Sequence, residues 1–401
     1  DKMNFSNGHK LDSADVVWSI NQLIEKQYLD SDAIESVSKV EAVDADTVKM
    51  TLYEPDWNLL WNLTGRPGLV FDKDAKYDLK TQAVGSGPYT VAKFVENSSI
   101  TLKANEKYWG KNKAKTPTVV VKYLADDNAA VNALKSGDVQ VLAPITENLA
   151  EPFKSDSAKY TVKAGNGTDK FVLGFNNASG SKLADKRIRQ AIRYAINHKE
   201  LIASRGGADK ALGGPIPSLD PGYEDLTNLY PYDQNKAKSL MAEAGYSTDK
   251  PLQLTLTYAN IYGTELGDQL RSQLKPIGID LKVNVVEFST WLQDVYTNHT
   301  FDISLVDHNE SHDFASWTDP TYYFGYDNKN VTKLYNEGVA ATSDKERDAK
   351  FAAAAKLVSE DAPADWLFNY RITTATAKGV EGFPFDLNQT VLPLYNVTYT
   401  K

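Results

Sequence analysis

The stretch LQLTLTYANIYGTELGDQLRSQLKPIGIDLKVNVVE, residues 252–287, decides the fold class. Its first part, 252–259, alternates apolar and polar side chains in the way that a strand does. A helix is predicted over 264–275, where Pro276 ends it, and a second strand is predicted over 279–287. A strand, a helix and a strand of these lengths favour a parallel or mixed sheet with helices on its faces.

Helices and strands continue to alternate on both sides of this stretch. A helix over 128–136 ends at Gly137 and leads into the strand-like DVQVL. Another helix begins near Asp185, and further helices are predicted over 233–244 and 344–360. The apolar stripe of the Asp185 helix consists of Ile188, Ala191, Ile192, Ala195 and Ile196. The whole pattern predicts an α/β protein.

Composition removes several classes of protein. The chain has 401 residues, 42% of them hydrophobic and 24% charged, which is ordinary for a globular protein. Its net charge of −9 argues against a nucleic-acid binder, because such proteins carry a basic face. No apolar run reaches the length of about 18 residues that a membrane span needs. The absence of cysteine removes thiol nucleophiles and disulfides.

The densest polar cluster is VDHNESHDF, residues 306–314. His308, Glu310 and His312 alternate along it and offer nitrogen and oxygen ligands, which is one interpretation of the cluster as a metal site. A solvated loop and a loop that faces a polar ligand are the other two interpretations. Neither of the standard zinc patterns, H-E-x-x-H and the cysteine pair, is present.

An aromatic block follows, SWTDPTYYFGYDN, residues 316–328. Its rings serve either as local core or as the walls of a pocket for a cationic or hydroxylated ligand, and the sequence leaves both interpretations open. Motifs for hydrolases, phosphate loops and dinucleotide binding are missing from the chain. Catalysis is therefore not expected.

Five segments, taken in order, resemble the family 5 extracellular solute-binding proteins of ABC importers, the class that binds oligopeptides and dipeptides. They are MNFSNGHKLDSADVVWSI (3–20), GSGPYTVAKFVENSSITLKANEKYWG (85–110), VNALKSGDVQ (131–140), LADKRIRQAIRYAINHKELI (183–202) and AKSLMAEAGY (237–246). Each motif is modest alone, but their common order along the chain is specific.

The resemblance implies a two-lobed, α/β periplasmic-binding-protein-like fold of type II, in the large class that has an extra domain. It also implies that the N-terminal portion of the family's fold is missing from this chain. Residues 1–84 are then the remainder of the small extra domain. Residues 85–178 and 380–401 form lobe one, and 179–379 form lobe two. The hinge is expected at 178–180 and near residue 380.

The resemblance also implies where a ligand binds. In the family, an Asp just before an Asp-Pro turn receives the α-ammonium of a peptide, and that position here is Ser316. The loop before it is longer than usual, so Asp307, Glu310 or Asp313 could take over the role. Phe288 falls where peptide binders place an aromatic residue of the cleft. The full set of expected ligand-binding residues is Asp307, His308, Glu310, Asp313, Ser316, Trp317, Tyr322, Tyr323, Phe288, Tyr258, Asn260 and Asn176.

The implied function is capture of peptides and their delivery to an ABC permease in the membrane. An oligosaccharide is the alternative ligand, because aromatic and polar side chains are dense in 316–328, and a metal or metal chelate is a further one. No cofactor, catalytic residue or resident metal is expected, and no nucleic-acid partner. The expected state is a monomer outside the cell, either lipid-anchored at its surface or periplasmic.

Overall fold

The strand–helix–strand unit at 252–287 is present in the computed structural model, which describes residues 3–386 and 391–400. The helices are α1 (Ser13–Glu25), α2 (Leu59–Asn62), α3 (Asp127–Ser136), α4 (Glu147–Ser155), α5 (Lys186–Ala195), α6 (His198–Ser204), α7 (Gln234–Glu243), α8 (Glu265–Leu274), α9 (Phe288–Trp291), α10 (Lys329–Val339) and α11 (Asp344–Asp361). The strands are β1 (Val37–Asp44), β2 (Thr47–Leu52), β3 (Tyr89–Val95), β4 (Ser99–Ala104), β5 (Thr118–Lys122), β6 (Val141–Leu142), β7 (Tyr160–Ala164), β8 (Lys170–Phe175), β9 (Leu252–Ala259), β10 (Ile279–Val286), β11 (Ile303–His308), β12 (Ala364–Asn369), β13 (Thr373–Ala377), β14 (Val380–Glu381) and β15 (Thr398–Tyr399).

The helices predicted over 128–136, 233–244, 264–275 and 344–360 and the strands predicted over 252–259 and 279–287 are confirmed to within a residue at each end, whereas only the last two residues of DVQVL form a strand, β6. Helix α5 shows why, because the carboxylate of Asp185 caps it by accepting the N–H of Arg187 at 2.9 Å. Its stripe is buried throughout, from Ile188 to Ala195. Full burial of an isoleucine or leucine side chain is worth about 1.5–3 kcal/mol, so this stripe fixes which face of α5 turns to the sheet.

The chain divides into two units. The first contains residues 1–163 and 373–401, and the second is the continuous segment 164–372. The chain therefore crosses between the units twice. Inside the second unit the two crossing segments are neighbours, because the N–H of Gly165 donates to the carbonyl of Ile372 at 3.0 Å.

The first unit holds four small sheets among its described residues. β1 pairs with β2 and β14 with β15, while β3, β4 and β5 form an antiparallel sheet in that order. In the remaining sheet, β13 lies between β6 and β7. Ala375 of β13 is fully buried beside Phe153 of α4 and Leu134 of α3, so the last part of the chain completes a core of the first unit.

The second unit is built on a mixed sheet in the order β10-β9-β11-β8-β12. Strands β9, β10 and β11 are parallel to one another, and β8 is antiparallel to both of its neighbours. Each face of the sheet carries its own core. One core contains α5, α7 and α8, and the other contains α9, α11 and the aromatic block of 316–328.

The boundaries of these units differ from the expected hinge positions. Lobe two was expected to begin at residue 179, but the second unit begins at Ala164. The physical reason is β8, which forms hydrogen-bonded ladders with β11 and β12 and so belongs to the sheet of the second unit. At the other end the second unit stops at Ile372, before the expected position near 380. The division of 1–163 into an extra domain and a lobe stays a prediction.

Helices of membrane-spanning length and apolar character do not occur in the described ranges 3–386 and 391–400.

Candidate functional site

The candidate site lies at one edge of the sheet of the second unit. The parallel strands β9, β10 and β11 all end there, and the residues that follow or close them are Asn260, Glu287 and His308. Because β8 is antiparallel, its first residue, Lys170, lies at the same edge, opposite His308 in register. In open α/β sheets, ligands bind outside the carboxyl ends of the strands, so this edge is the candidate ligand site.

The alternation of side chains separates Asp307 from His308. Asp307 pairs in register with Phe171, whose ring belongs to the core that contains α5 and α8. His308 pairs with Lys170 and stacks over Tyr323, a ring of the opposite core. Consecutive residues of a strand point to opposite faces, so the two residues take part in two different environments.

Among the predicted residues, Asp307 alone has a buried carboxylate oxygen without a hydrogen-bond partner in the described ranges 3–386 and 391–400. Its backbone N–H donates to the hydroxyl of Tyr262 at 3.1 Å. Its Oδ1 atom is buried, and within the described part of the chain it has no hydrogen-bond partner. Burial, with a contribution from the Asp169 carboxylate, raises the pKa of Asp307 to about 7. The positive charges of Lys170 and Arg205 oppose this rise without cancelling it.

The surroundings of Asp307 combine charge with aromatic rings. Arg205 forms an ion pair with Asp209 at 2.6 Å, and its guanidinium lies 5.1 Å from the ring centroid of Phe171. The ring of Tyr370 lies 6.3 Å from the ring of Phe171. Burial raises the pKa of the Tyr370 hydroxyl, and the charge of Asp307 adds to this rise. Carboxylates walled by aromatic rings are suited to an ammonium group.

Sequence reasoning missed several members of this environment. Asp169, Arg205 and Asp209 come from segments that the polar cluster at 306–314 does not include. The short polar segment TDK at the start of β8 could have indicated that polar residues lie at this edge. Only the register between β8 and β11, however, shows that this segment lies next to Asp307. Tyr262 closes the 3-10 turn Asn260–Tyr262 that follows β9, and could have been expected near Asn260 at the strand end.

On the other face, Lys170 organises the loop after β11. Its buried ammonium donates to the carbonyls of Thr168 at 2.9 Å and Glu310 at 2.7 Å. It also lies 3.3 Å from a carboxylate oxygen of Asp313. Burial raises the pKa of Asp313 to about 6, and the ion pair with Lys170 offsets only part of this effect.

A cavity of about 10 Å³ lies beside this ion pair. Its lining residues are Lys170, Val172, His308, Asp313, Ser316, Trp317, Phe324 and Trp366. This volume holds about one water molecule, so the cavity itself is too small for a solute. The hydroxyl of Ser316 donates to the carbonyl of Asp313 at 2.9 Å and is thereby engaged within its own turn.

The two histidines do not form the metal site that was one interpretation of the cluster. His308 shares a hydrogen bond of 2.9 Å with the hydroxyl of Tyr323, and burial lowers the pKa of its ring to about 3. The strand ends at His308, so the alternation expected to bring Glu310 and His312 to the same side does not continue. The backbone of His312 adopts a left-handed conformation with a φ of 59°. Its N–H donates to a carboxylate oxygen of Asp220 at 2.8 Å. In the described ranges, no three His, Asp or Glu side chains could hold a metal ion together.

Most rings of the aromatic block are core. Trp317 is 4% exposed and stacks on Phe324 with centroids 4.4 Å apart, and Tyr323 is 1% exposed. Tyr322 is the half-buried exception, in edge contact with Tyr296 at 5.8 Å. The interpretation of these rings as the walls of a pocket therefore applies only to a ring at the margin of the block, such as Tyr322.

Eight of the expected ligand-binding residues belong to the segments that meet at this edge, with Asp307 on one face of the sheet and His308 on the other. They are Asp307, His308, Glu310, Asp313, Ser316, Tyr322, Phe288 and Asn260. Trp317 and Tyr323 are buried behind them, and Tyr258 is fully buried in the core on the face of α8, against Gly267. Asn176 follows the far end of β8, where its amide donates to the carbonyl of Phe301 at 3.0 Å. Because β8 is antiparallel to β11, Asn176 lies at the opposite edge of the sheet.

Comparison with known proteins identifies the family. The family model described as "Bacterial extracellular solute-binding proteins, family 5 Middle" matches residues 1–332. The protein named "Probable D,D-dipeptide-binding periplasmic protein DdpA" of Escherichia coli (strain K12) is 27% identical over 416 residues, which cover 96% of this chain and 78% of DdpA.

Two solved structures share the fold. The ABC transporter substrate-binding protein CtaP of Listeria monocytogenes superposes with a TM-score of 0.86 at 22% identity, over 100% of this chain and 86% of CtaP. NikA of Staphylococcus aureus, solved in complex with Ni(L-His)2, superposes with a TM-score of 0.77 at 21% identity, over 100% of this chain and 87% of NikA. At this identity the likeness confirms the predicted periplasmic-binding-protein-like α/β fold and leaves the ligand undetermined.

The resemblance inferred from the five segments is thus confirmed by a match that covers most of the chain. Proteins of this family bind solutes for ABC transporters and are not enzymes. The chain belongs to the bacterial extracellular solute-binding proteins of family 5.

Proposed function

We propose that the protein captures peptides outside the cell and delivers them to an ABC permease, with Asp307 as the partner of the peptide's α-ammonium group. The observation that carries this proposal is the buried Oδ1 atom of Asp307, which has no hydrogen-bond partner among the described residues. A buried carboxylate oxygen without a partner costs free energy, and a bound ammonium group supplies the missing donor. The name of the relative DdpA supports the same ligand class.

The oligosaccharide alternative has less support. Sugar recognition needs the accessible face of an aromatic ring, and most rings of 316–328, including Trp317 and Tyr323, are buried. The metal-chelate alternative relied on His308 and His312, and one ring nitrogen of each already interacts with a hydroxyl, that of Tyr323 and that of Ser311 respectively. Both ligand classes are kept as outcomes of the test.

The test compares trialanine with N-acetyl-trialanine by titration calorimetry on the full chain and on the Asp307→Asn variant. Trialanine should bind the unaltered protein, and acetylation should abolish binding because it removes the charge that Asp307 pairs with. Asp307→Asn should weaken trialanine binding by about 30-fold or more, since loss of one partner of a buried charge pair costs about 2–5 kcal/mol.

The matched control is Asp280→Asn, which alters an exposed carboxylate near the start of β10, at the other edge of the sheet. It should bind trialanine as the unaltered protein does. Equal binding of the acetylated and free peptides would contradict the role of Asp307. Binding of a maltooligosaccharide or of nickel–histidine, with no peptide binding, would replace the peptide assignment.

A further inference from the structure

Asp307 shares one face of the sheet with two aromatic residues. It pairs in register with Phe171 of β8, and Phe171 pairs with Phe368 of β12. Residues that lie directly opposite each other in neighbouring strands project from the same face. The rings agree with this register, because Phe171 and Phe368 stack with centroids 4.7 Å apart. Asp307 therefore stands beside a pair of stacked rings at the edge that carries the candidate site.

The guanidinium of Arg205 lies over these two rings. It is 4.5 Å from the ring centroid of Phe368 and 5.1 Å from that of Phe171. Its Nε atom donates to the buried carboxylate of Asp209 at 2.6 Å. The same carboxylate accepts the backbone N–H of Arg371 at 3.3 Å. Two rings and one fixed carboxylate thus set the position and the plane of the guanidinium.

These contacts use only one of the three nitrogens of Arg205. In the described ranges 3–386 and 391–400, the bond from Nε is the only hydrogen bond of this guanidinium. The side chain is 28% exposed, and neither terminal nitrogen is fully buried. A solute at the sheet edge can therefore reach the terminal N–H groups.

Two other arginines of this unit show how the fold uses a purely structural guanidinium. Arg189 donates through Nε, Nη1 and Nη2 to backbone carbonyls at 2.8–3.0 Å. Arg371 likewise donates to backbone carbonyls through all three nitrogens. Arg205 differs from both, because the fold orients its guanidinium without using the two terminal nitrogens. The fork that these nitrogens form matches the two oxygens of a carboxylate.

The charges on this face favour a ligand that carries both signs. The buried oxygen of Asp307 requires a donor, and the fork of Arg205 requires an acceptor. An ammonium group alone would add a positive charge near Arg205, and a carboxylate alone would add a negative charge near Asp307. A ligand with both groups leaves the net charge unchanged, so it avoids the cost of desolvating an unbalanced charge.

We propose that Arg205 binds a carboxylate of the ligand, close to the α-ammonium group that Asp307 receives. This inference rests on the proposed function, which supplies the position of the ammonium group. Two parts of a short peptide can provide the carboxylate, either the C-terminus of a dipeptide or an acidic side chain of the first residue. Both sources offer the same two oxygens to the guanidinium, and the experiment separates them.

The experiment measures the affinities of Ala-Ala, Ala-Ala amide and Glu-Ala amide for the full chain by titration calorimetry, with trialanine as the reference peptide. At least one of the two carboxylates should raise the affinity about tenfold or more above that of Ala-Ala amide, because hydrogen bonds to charged groups are the strong ones. A gain for Ala-Ala identifies the C-terminus as the source, and a gain for Glu-Ala amide identifies the side chain. In Arg205→Ala the gain should disappear. In Arg271→Ala, which removes an exposed arginine paired with Asp268 in α8, it should be unchanged.

Arg205→Lys provides a second variant if Arg205→Ala proves unstable. It keeps the positive charge but loses the fork, so it should retain only part of the gain. Binding of trialanine together with equal affinities for the three dipeptides would overturn the inference and leave the proposed function intact, and so would a full gain in Arg205→Ala. Failure of trialanine and of all three dipeptides to bind would overturn the proposed function, and this inference with it.

Discussion

At the scale of single residues, burial of the Asp307 carboxylate costs the fold stability. Its pKa is about 7 in the folded protein, raised mainly by burial, against about 3.9 for an aspartate in an unfolded chain. Between these two pH values the unfolded state binds fewer protons than the folded state. The free energy of unfolding therefore decreases as the pH rises from about 4 to about 7, and the loss is complete above that range.

We predict that Asp307→Asn raises the thermal unfolding temperature of the second unit at pH 8, because the amide has no charge to bury. Each kcal/mol regained should raise the midpoint by about 2–4 °C. The advantage over the unaltered protein should shrink as the pH falls towards 5, where Asp307 is already protonated. Thermal unfolding by circular dichroism between pH 5 and pH 8 measures this difference.

Asp280→Asn is the control for that measurement, since Asp280 is exposed, and its unfolding temperature should follow the unaltered protein at every pH. A constant gap between Asp307→Asn and the unaltered protein from pH 5 to pH 8 would show that Asp307 does not titrate in this range.

The sequence identified the carboxylates of the polar segment but not the groups that surround Asp307, for a physical reason. Asp307 and Asp313 were recognisable because they lie in one polar segment that follows an apolar strand. Asp169, whose charge acts on Asp307, is distant in the sequence and is brought near by the register between β8 and β11. Register depends on tertiary contacts, and a single sequence does not encode it in any local pattern.

At the scale of elements, helices with a strong apolar stripe were predictable, and the direction of β8 was not. α5 and α8 carry apolar residues at helical spacing, and the fold buries these same residues in its core. All six residues of β8 are buried, so its sequence shows no alternation from which a face or a direction could be read. Nothing in the sequence therefore showed that Asn176, one of the expected ligand-binding residues, lies at the other end of the strand from Lys170.

Gly174 of β8 is required by the aromatic block. A Cβ atom at this position would lie 2.6 Å from Cε1 of the Phe324 ring, which itself stacks on Trp317. We predict that Gly174→Ala destabilises the second unit by about 1–3 kcal/mol, since the buried ring must move to accommodate the methyl group. A urea unfolding curve followed by near-ultraviolet circular dichroism reports both the stability and the packing of these rings.

Gly180→Ala is the matched substitution, because a Cβ atom there would meet no atom within 4 Å. Its unfolding curve should be close to that of the unaltered protein. A Gly174→Ala protein with unchanged stability and unchanged aromatic circular dichroism would mean that the ring shifts without cost.

At the scale of the whole molecule, the division into units depends on where the chain crosses between them. The second unit is one continuous segment, whereas the first is assembled from two segments separated in sequence. The TTATA segment of β13 has no apolar periodicity that would reveal it as the strand between β6 and β7. The resemblance implied a boundary near 380, after β13, whereas the two units divide before β13.

This topology predicts an asymmetric response to truncation. Ending the chain after Ile372 removes β13, and with it the strand between β6 and β7 and the buried Ala375. Hydrogen exchange measured by mass spectrometry should then show loss of protection across α3, α4 and β7. Protection of β8, β9 and β11 should be retained, because every strand of their sheet lies within 164–372.

Ending the chain after Ala377 instead is the control, because it retains β13 while removing β14, β15 and the contacts that the last residues make with Lys115 and Thr116. Protection of α3 and α4 should persist in this shorter chain, since their core keeps Ala375. If both truncated chains lost protection to the same extent, the contacts of the last residues would be responsible for the stability of the first unit. If the chain ending at Ile372 kept its protection in α3 and α4, β13 would not be needed for that core.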